Sequence, residues 1–101
     1  MAEPLTGPVT ATVSVATAAP ERYAKQLASH LGRRSETREE PDGIRIARAV
    51  GDCLVRPGDG TLDLTATAPG PDELDVVTGV VGSHLERFGQ RSELTVDWRR
   101  P

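Results

Sequence analysis

The sequence predicts an α+β fold, a two-layer sandwich in the order β-α-β-β-β-β-α-β, with a mostly antiparallel sheet and both helices on one face. Three observations predict it. Two segments, Val9 to Val15 and Thr61 to Ala68, alternate apolar and polar residues with period two. Two others carry apolar stripes at helical spacing, each opened by a proline and closed by a glycine. Between them, three turn signals follow in quick succession.

The first strand has Val9, Ala11, Val13 and Val15 on one face and Thr10, Thr12 and Ser14 on the other. Pro20 opens the first helix, with Tyr23, Ala24, Leu27 and Leu31 on one stripe until Gly32 ends it. Pro41-Asp42-Gly43, Gly51-Asp52 and Pro57-Gly58-Asp59-Gly60 then divide a meander into four short strands. The last of these sets Leu62, Leu64, Ala66 and Ala68 against Thr61, Asp63, Thr65 and Thr67. After Pro69-Gly70-Pro71, acidic Asp72 and Glu73 favour a helix start. Leu74, Val77, Val81, Leu85 and Phe88 form the stripe of that second helix, which stops at Gly89. Leu94, Val96 and Trp98 end the chain as a strand. The expected core includes Val13, Leu27, Leu64, Val81, Leu85, Val96 and Trp98. Residues 1–8 read as a disordered tail and 9–101 as a single domain.

A chain of 101 residues is long enough to fold on one core without disulfides or metal. A net charge of −3 supplies no clustered basic excess, so neither nucleic acid nor an anionic membrane is an expected partner. Tyr23, Phe88 and Trp98, the aromatic residues, all fall on inward stripes. The outward sheet face, chiefly Thr10, Thr12, Arg45, Asp63, Thr65, Thr67, Thr95, Asp97 and Arg99, therefore offers bases nothing to stack on. That face could still form a wet dimer contact around Leu54, so a monomer or weak homodimer is expected. No apolar run approaches a membrane span, no signal segment opens the chain, and a cytoplasmic location is the expectation. Eleven arginines against one lysine indicate a GC-rich, actinobacterial-like genome.

The residues that invite chemistry are in two similar stretches, SHLGRRSE at Ser29 to Glu36 and SHLERFGQRSE at Ser83 to Glu93. They hold both histidines, His30 and His84. Aligning Thr17 to Tyr23 with Ala68 to Leu74 superposes strand on strand and helix start on helix start; three extra residues in the second helix then align the two triplets. Two strand-helix-strand units related by a pseudo-two-fold, with an extra hairpin between them, would produce this pattern. So would similar pressures at two helix ends.

If the helices lie antiparallel with level midpoints, the histidines stand about 12 Å apart along the axes and about 9 Å across them. One metal cannot easily take both. No cysteine pair or carboxylate repeat completes a tetrahedral set, so no metal and no other cofactor is expected. Instead, late in a helix, His30, Arg33, His84, Arg87 and Arg91 meet unpaired carbonyls and the negative end of the macrodipole. The same residues are the candidate surface for a ligand or partner. No catalytic residue is identifiable. Cys53 falls in a strand as a small buried hydrophobe. Ser29 and Ser83 point about 100° away from the histidines that follow them, so neither forms a serine-histidine relay.

With ERYAKQLASHLGRR, the GDCLVR strand and SHLERFGQRSELTVDW in order, the chain resembles the bacterial family called domain of unknown function 2218, from about Val9 to Trp98. The resemblance implies a small bacterial domain, fused in some relatives to proteins resembling siderophore-interacting flavoproteins. It supplies no catalytic residues. Two functions stay open. One is a non-enzymatic accessory or ligand-binding domain, tied to siderophore or iron metabolism, whose protein or small-molecule partner meets the helix-end surface. The other is a small enzyme using His30 or His84 as general base at a groove or dimer interface.

Overall fold

The computed structural model describes residues 8–32, 35–88 and 96–100. The elements are β1 (Val9–Ala16), α1 (Pro20–Leu31), β2 (Glu36–Glu40), β3 (Gly43–Arg48), β4 (Gly51–Pro57), β5 (Thr61–Ala68) and α2 (Pro71–Phe88). The five strands form one antiparallel sheet in the order β1-β5-β4-β3-β2. Beyond β1, the chain's C-terminal segment adds a single antiparallel bridge, Thr12 with Arg99, closed by two backbone hydrogen bonds of 2.8 Å. Element order and fold class are as predicted. Leu94 and Thr95 lie outside the described residues.

The apolar alternation is used as period two requires. Ala11, Val15, Ile46, Cys53, Val55, Leu62, Leu64, Ala66 and Ala68 face one way and are buried. Both helices cover that face, through Ala24, Leu27 and Leu31 of α1 and Leu74, Val77, Val81 and Leu85 of α2. Of the expected core, Leu27, Leu64, Val81 and Leu85 are buried, whereas Val13, Val96 and Trp98 pack against the core and stay partly exposed. These three share the β1 edge, where the described C-terminal residues supply one bridge.

Two turn signals act differently from expectation. The loops between β2 and β3 and between β3 and β4 are the two-residue turns Pro41-Asp42 and Ala49-Val50, so Gly43 and Gly51 belong to strands. Gly51 is needed there for close approach. A Cβ on it would lie 2.5 Å from the Thr67 carbonyl oxygen and 3.0 Å from Val77 Cγ2. Among the described glycines, Gly60, at φ 76°, supplies the left-handed conformation a turn demands.

The C-terminal segment is tied to α2 as well as to β1. Glu86 accepts a 3.0 Å bond from the Val96 N–H, and Arg100 pairs with Asp75. Trp98 lies on Gly82, where an added Cβ would come within 3.0 Å of the indole Nε1. A helical glycine here makes room for a ring.

The register also bears on the twin stretches. The alignment that sets Thr17 on Ala68 sets Val13 on Leu64, and those two residues are cross-strand partners. It likewise sets Thr12 on Asp63; Thr12 bridges Arg99, and Asp63 pairs with Arg56 on the opposite side of the sheet. The C-terminal segment thus stands to β1 as β4 stands to β5. This is the arrangement of a pseudo-two-fold between Val13 and Leu64, with the β2–β3 hairpin inserted between α1 and β4.

Candidate functional site at the helix ends

His30 occupies the last turn of α1, and His84 lies one turn before the end of α2. Their ring centroids are 6.1 Å apart. Phe88 completes the group, 4.7 Å from His30 and 6.3 Å from His84, with every pair of rings tilted. This corrects the separation of about 12 by 9 Å expected for level helices. The helices instead meet by their C-terminal turns, so residues expected at opposite ends become neighbours. The objection that one ion cannot reach both rings falls with that geometry.

The hydrogen bonding also differs from expectation. His84 Nδ1 donates to the Val80 carbonyl at 2.7 Å. That carbonyl is one turn inside α2 and is not among the unpaired terminal ones, so the ring is held along the helix without capping it. With Nδ1 as donor, the neutral ring keeps its lone pair on Nε2. His30 is exposed, and His84 and Phe88 are half-buried. Arg87 is exposed beside them, while Arg33 and Arg91 lie outside the described residues. Ser83 donates its hydroxyl to the Gly79 carbonyl, so it is occupied within its own helix.

Phe88 was legible only as a core-stripe residue. Its spacing of four from His84 puts both on one helical face, and that spacing is the signal that could have joined it to the histidines. Among the described residues no group of three or more His, Cys, Asp or Glu side chains is placed to hold a metal ion.

Elsewhere the structure builds polar surface. On the outward sheet face, Arg45 of β3 bonds Glu40 Oε2 at 2.7 Å and Asp52 Oδ2 at 3.2 Å. Arg45 holds the Glu40 carboxyl below its usual range, and Glu40 in turn raises the guanidinium. Sequence reasoning missed this trio, although Glu40 is diagonal to Arg45 in the hairpin register. An open groove of about 540 Å³ runs along β1 and β5 past Ser14, Asp63, Asp97 and Arg99. Ser14 already donates to Asp63 at 2.5 Å. Neither histidine lines this groove. Cys53 is buried as expected, and burial pushes its thiol up to about 12, which removes it as a nucleophile at neutral pH. No helix among the described residues is long and apolar enough to cross a membrane.

Fold and surface together define a small α+β domain with one sheet face covered by helices and an imidazole-aromatic cluster where the helices meet. The chain belongs to the family described as "Uncharacterized protein conserved in bacteria (DUF2218)", whose model matches residues 12–99. Among solved structures it is similar to the NMR structure of PA4090 from Pseudomonas aeruginosa, at 24% identity and a TM-score of 0.68, over 92% of this chain and 95% of that one. A likeness at that identity speaks to the fold alone. No curated protein matches the chain.

Proposed function

We propose that this is a non-enzymatic bacterial accessory domain, cytoplasmic and built on residues 9–101, that binds a ligand or partner at the converging ends of α1 and α2. The single observation that carries the reading is the cluster of His30, His84 and Phe88, drawn from two helices and left accessible. Arg87 adds positive charge to the same surface. An aromatic wall with cationic neighbours suits a planar or anionic ligand. Family resemblance adds siderophore-linked iron metabolism as the setting, and iron-chelating small molecules as the ligand class.

The test is titration of isotope-labelled protein with gallium-loaded hydroxamate and catecholate siderophores, gallium standing in for paramagnetic ferric iron. Shifts clustered on His30, His84, Arg87 and Phe88 are expected. No shifts at millimolar ligand, or shifts confined to the outward sheet face, would remove the reading.

A second reading, general-base catalysis by His84, draws support from the free Nε2 that the Val80 bond leaves. The binding reading takes precedence because the cluster joins side chains from both helices, whereas the free Nε2 belongs to one ring.

A further inference from the structure

His30 and His84 come from different helices, carry no charge-pairing carboxylate among the described contacts, and stand 6.1 Å apart between ring centroids. Two imidazoles on one metal, each bonded at about 2.0–2.1 Å, place their ring centres roughly 5–6 Å apart. The observed spacing lies just beyond that range. His30 is exposed in the last turn of α1, so rotation of its side chain can close the difference.

His84 shows the other half of the chemistry. A metal-binding histidine gives its second ring N–H to a carboxylate or carbonyl, which sets the tautomer and aims the free nitrogen. The 2.7 Å bond from Nδ1 to the Val80 carbonyl does this, and it commits Nε2 as the ligand atom. Phe88 packs against both rings, 4.7 and 6.3 Å away, and restricts the directions they can turn.

We propose that His30 and His84 form a two-imidazole site for a divalent transition metal of the zinc, nickel or copper class. Imidazole nitrogen selects these ions over magnesium or calcium, which prefer oxygen. With no third His, Cys, Asp or Glu joining the pair among the described residues, two or more coordination positions stay open. Water fills them, or a donor atom from whatever binds the surface. The site is thus a docking metal, in contrast to a closed structural one. The proposal rests on the reading of the helix ends as the binding surface, and it names a ligand of that surface.

The experiment is calorimetric titration of the whole chain with zinc chloride and, separately, nickel chloride, in parallel with His30→Gln and His84→Gln. One equivalent of metal should bind the native chain, and each substitution should weaken binding by more than about tenfold. Bound metal should also raise the melting temperature of the native chain and not of either variant. A second measurement needs no variant: the ring-proton NMR signals of both histidines should shift together at one equivalent. Absence of stoichiometric binding, movement of only one imidazole's signals, or binding that survives either substitution would overturn the proposal. The gallium-siderophore titration is run without added zinc or nickel. Siderophore shifts that persist when zinc and nickel fail would leave the binding surface standing and remove only the metal.

Discussion

β1 with α1 and β5 with α2 follow one plan, yet they are buried to different depths. Every inward residue of β5, from Leu62 to Ala68, is buried, whereas in β1 only Ala11 and Val15 are, with Val9 and Val13 partly exposed. Their sequences alternate in the same way. β5 has a strand on both sides along its length; among the described residues, β1 has β5 on one side and a single bridge on the other. α2 follows its strand in this, with 18 residues to α1's 12 and a glycine that admits Trp98. Local pattern assigns a face, and neighbours decide how dry that face becomes.

The strongest way to break this comparison is truncation at the residues the pseudo-two-fold equates. Leu64→Ala, at a fully enclosed site, should cost about 2–5 kcal/mol. Val13→Ala, its partner at the wetter edge, should cost roughly 1 kcal/mol, from two methyl groups at about 0.8 kcal/mol each when fully buried, discounted for partial exposure. Urea midpoints measure both, and equal losses would mean that the two strands are equally buried in solution.

Next in size is Gly82→Ala, whose counterpart in α1 is Ala28. An added Cβ meets the Trp98 indole at 3.0 Å, so overpacking of about 1–3 kcal/mol should exceed the helix-propensity gain of about 1 kcal/mol. In a Trp98→Ala background the sign should reverse. A substitution that destabilises both backgrounds alike would show that Trp98 does not rest on Gly82.

The third is chemical. Val96 precedes Arg99, which bridges β1, by three residues, as Cys53 precedes Arg56, which pairs with β5. Cys53 should resist a thiol reagent at pH 8 until the chain unfolds, whereas Val96→Cys in a Cys53→Ala chain should react at once. The Cys53 thiol has its pKa raised by burial, so its contribution to stability is complete below the ordinary value of 9.0. It is lost as pH rises from there through about 12. Unfolding measured from pH 8 to 11 should show that decline, and Cys53→Ala should flatten it.

The smallest effect belongs to the inserted hairpin, which has no counterpart in the second unit. Arg45 lowers the Glu40 pKa, so whatever this pair contributes is present above the ordinary value of 4.5 and lost as pH falls below it. Glu40→Gln should remove that acid dependence and leave the midpoint at pH 7 nearly unchanged.

Most of the fold was legible because period-two and helical stripes are strong signals and each was bounded by proline or glycine. What escaped was what depends on how elements are offset. The distance between His30 and His84 turns on where two helices meet, and no residue of either stripe encodes that. Phe88 reads as core from its stripe and as part of the site only once α1 is beside it. Gly51 reads as a turn residue, and its use, admitting Val77 and the Thr67 carbonyl, is a matter of packing between layers. Trp98 and Gly82 are sixteen residues apart in sequence and in contact only because the chain returns along α2.

That return has a consequence for how copies of this molecule keep apart. The sheet has two outer margins. One is β2, whose Glu36, Arg38, Glu39 and Glu40 repel an incoming strand. The other is β1, rich in threonine and valine, and the segment from Val96 to Arg100 guards it with one bridge, an indole and an arginine-aspartate pair. A chain that ended before Val96 would present β1 bare, and its expected fate is to borrow the same strand from a second copy, so that tail removal would register as strand exchange and precipitation.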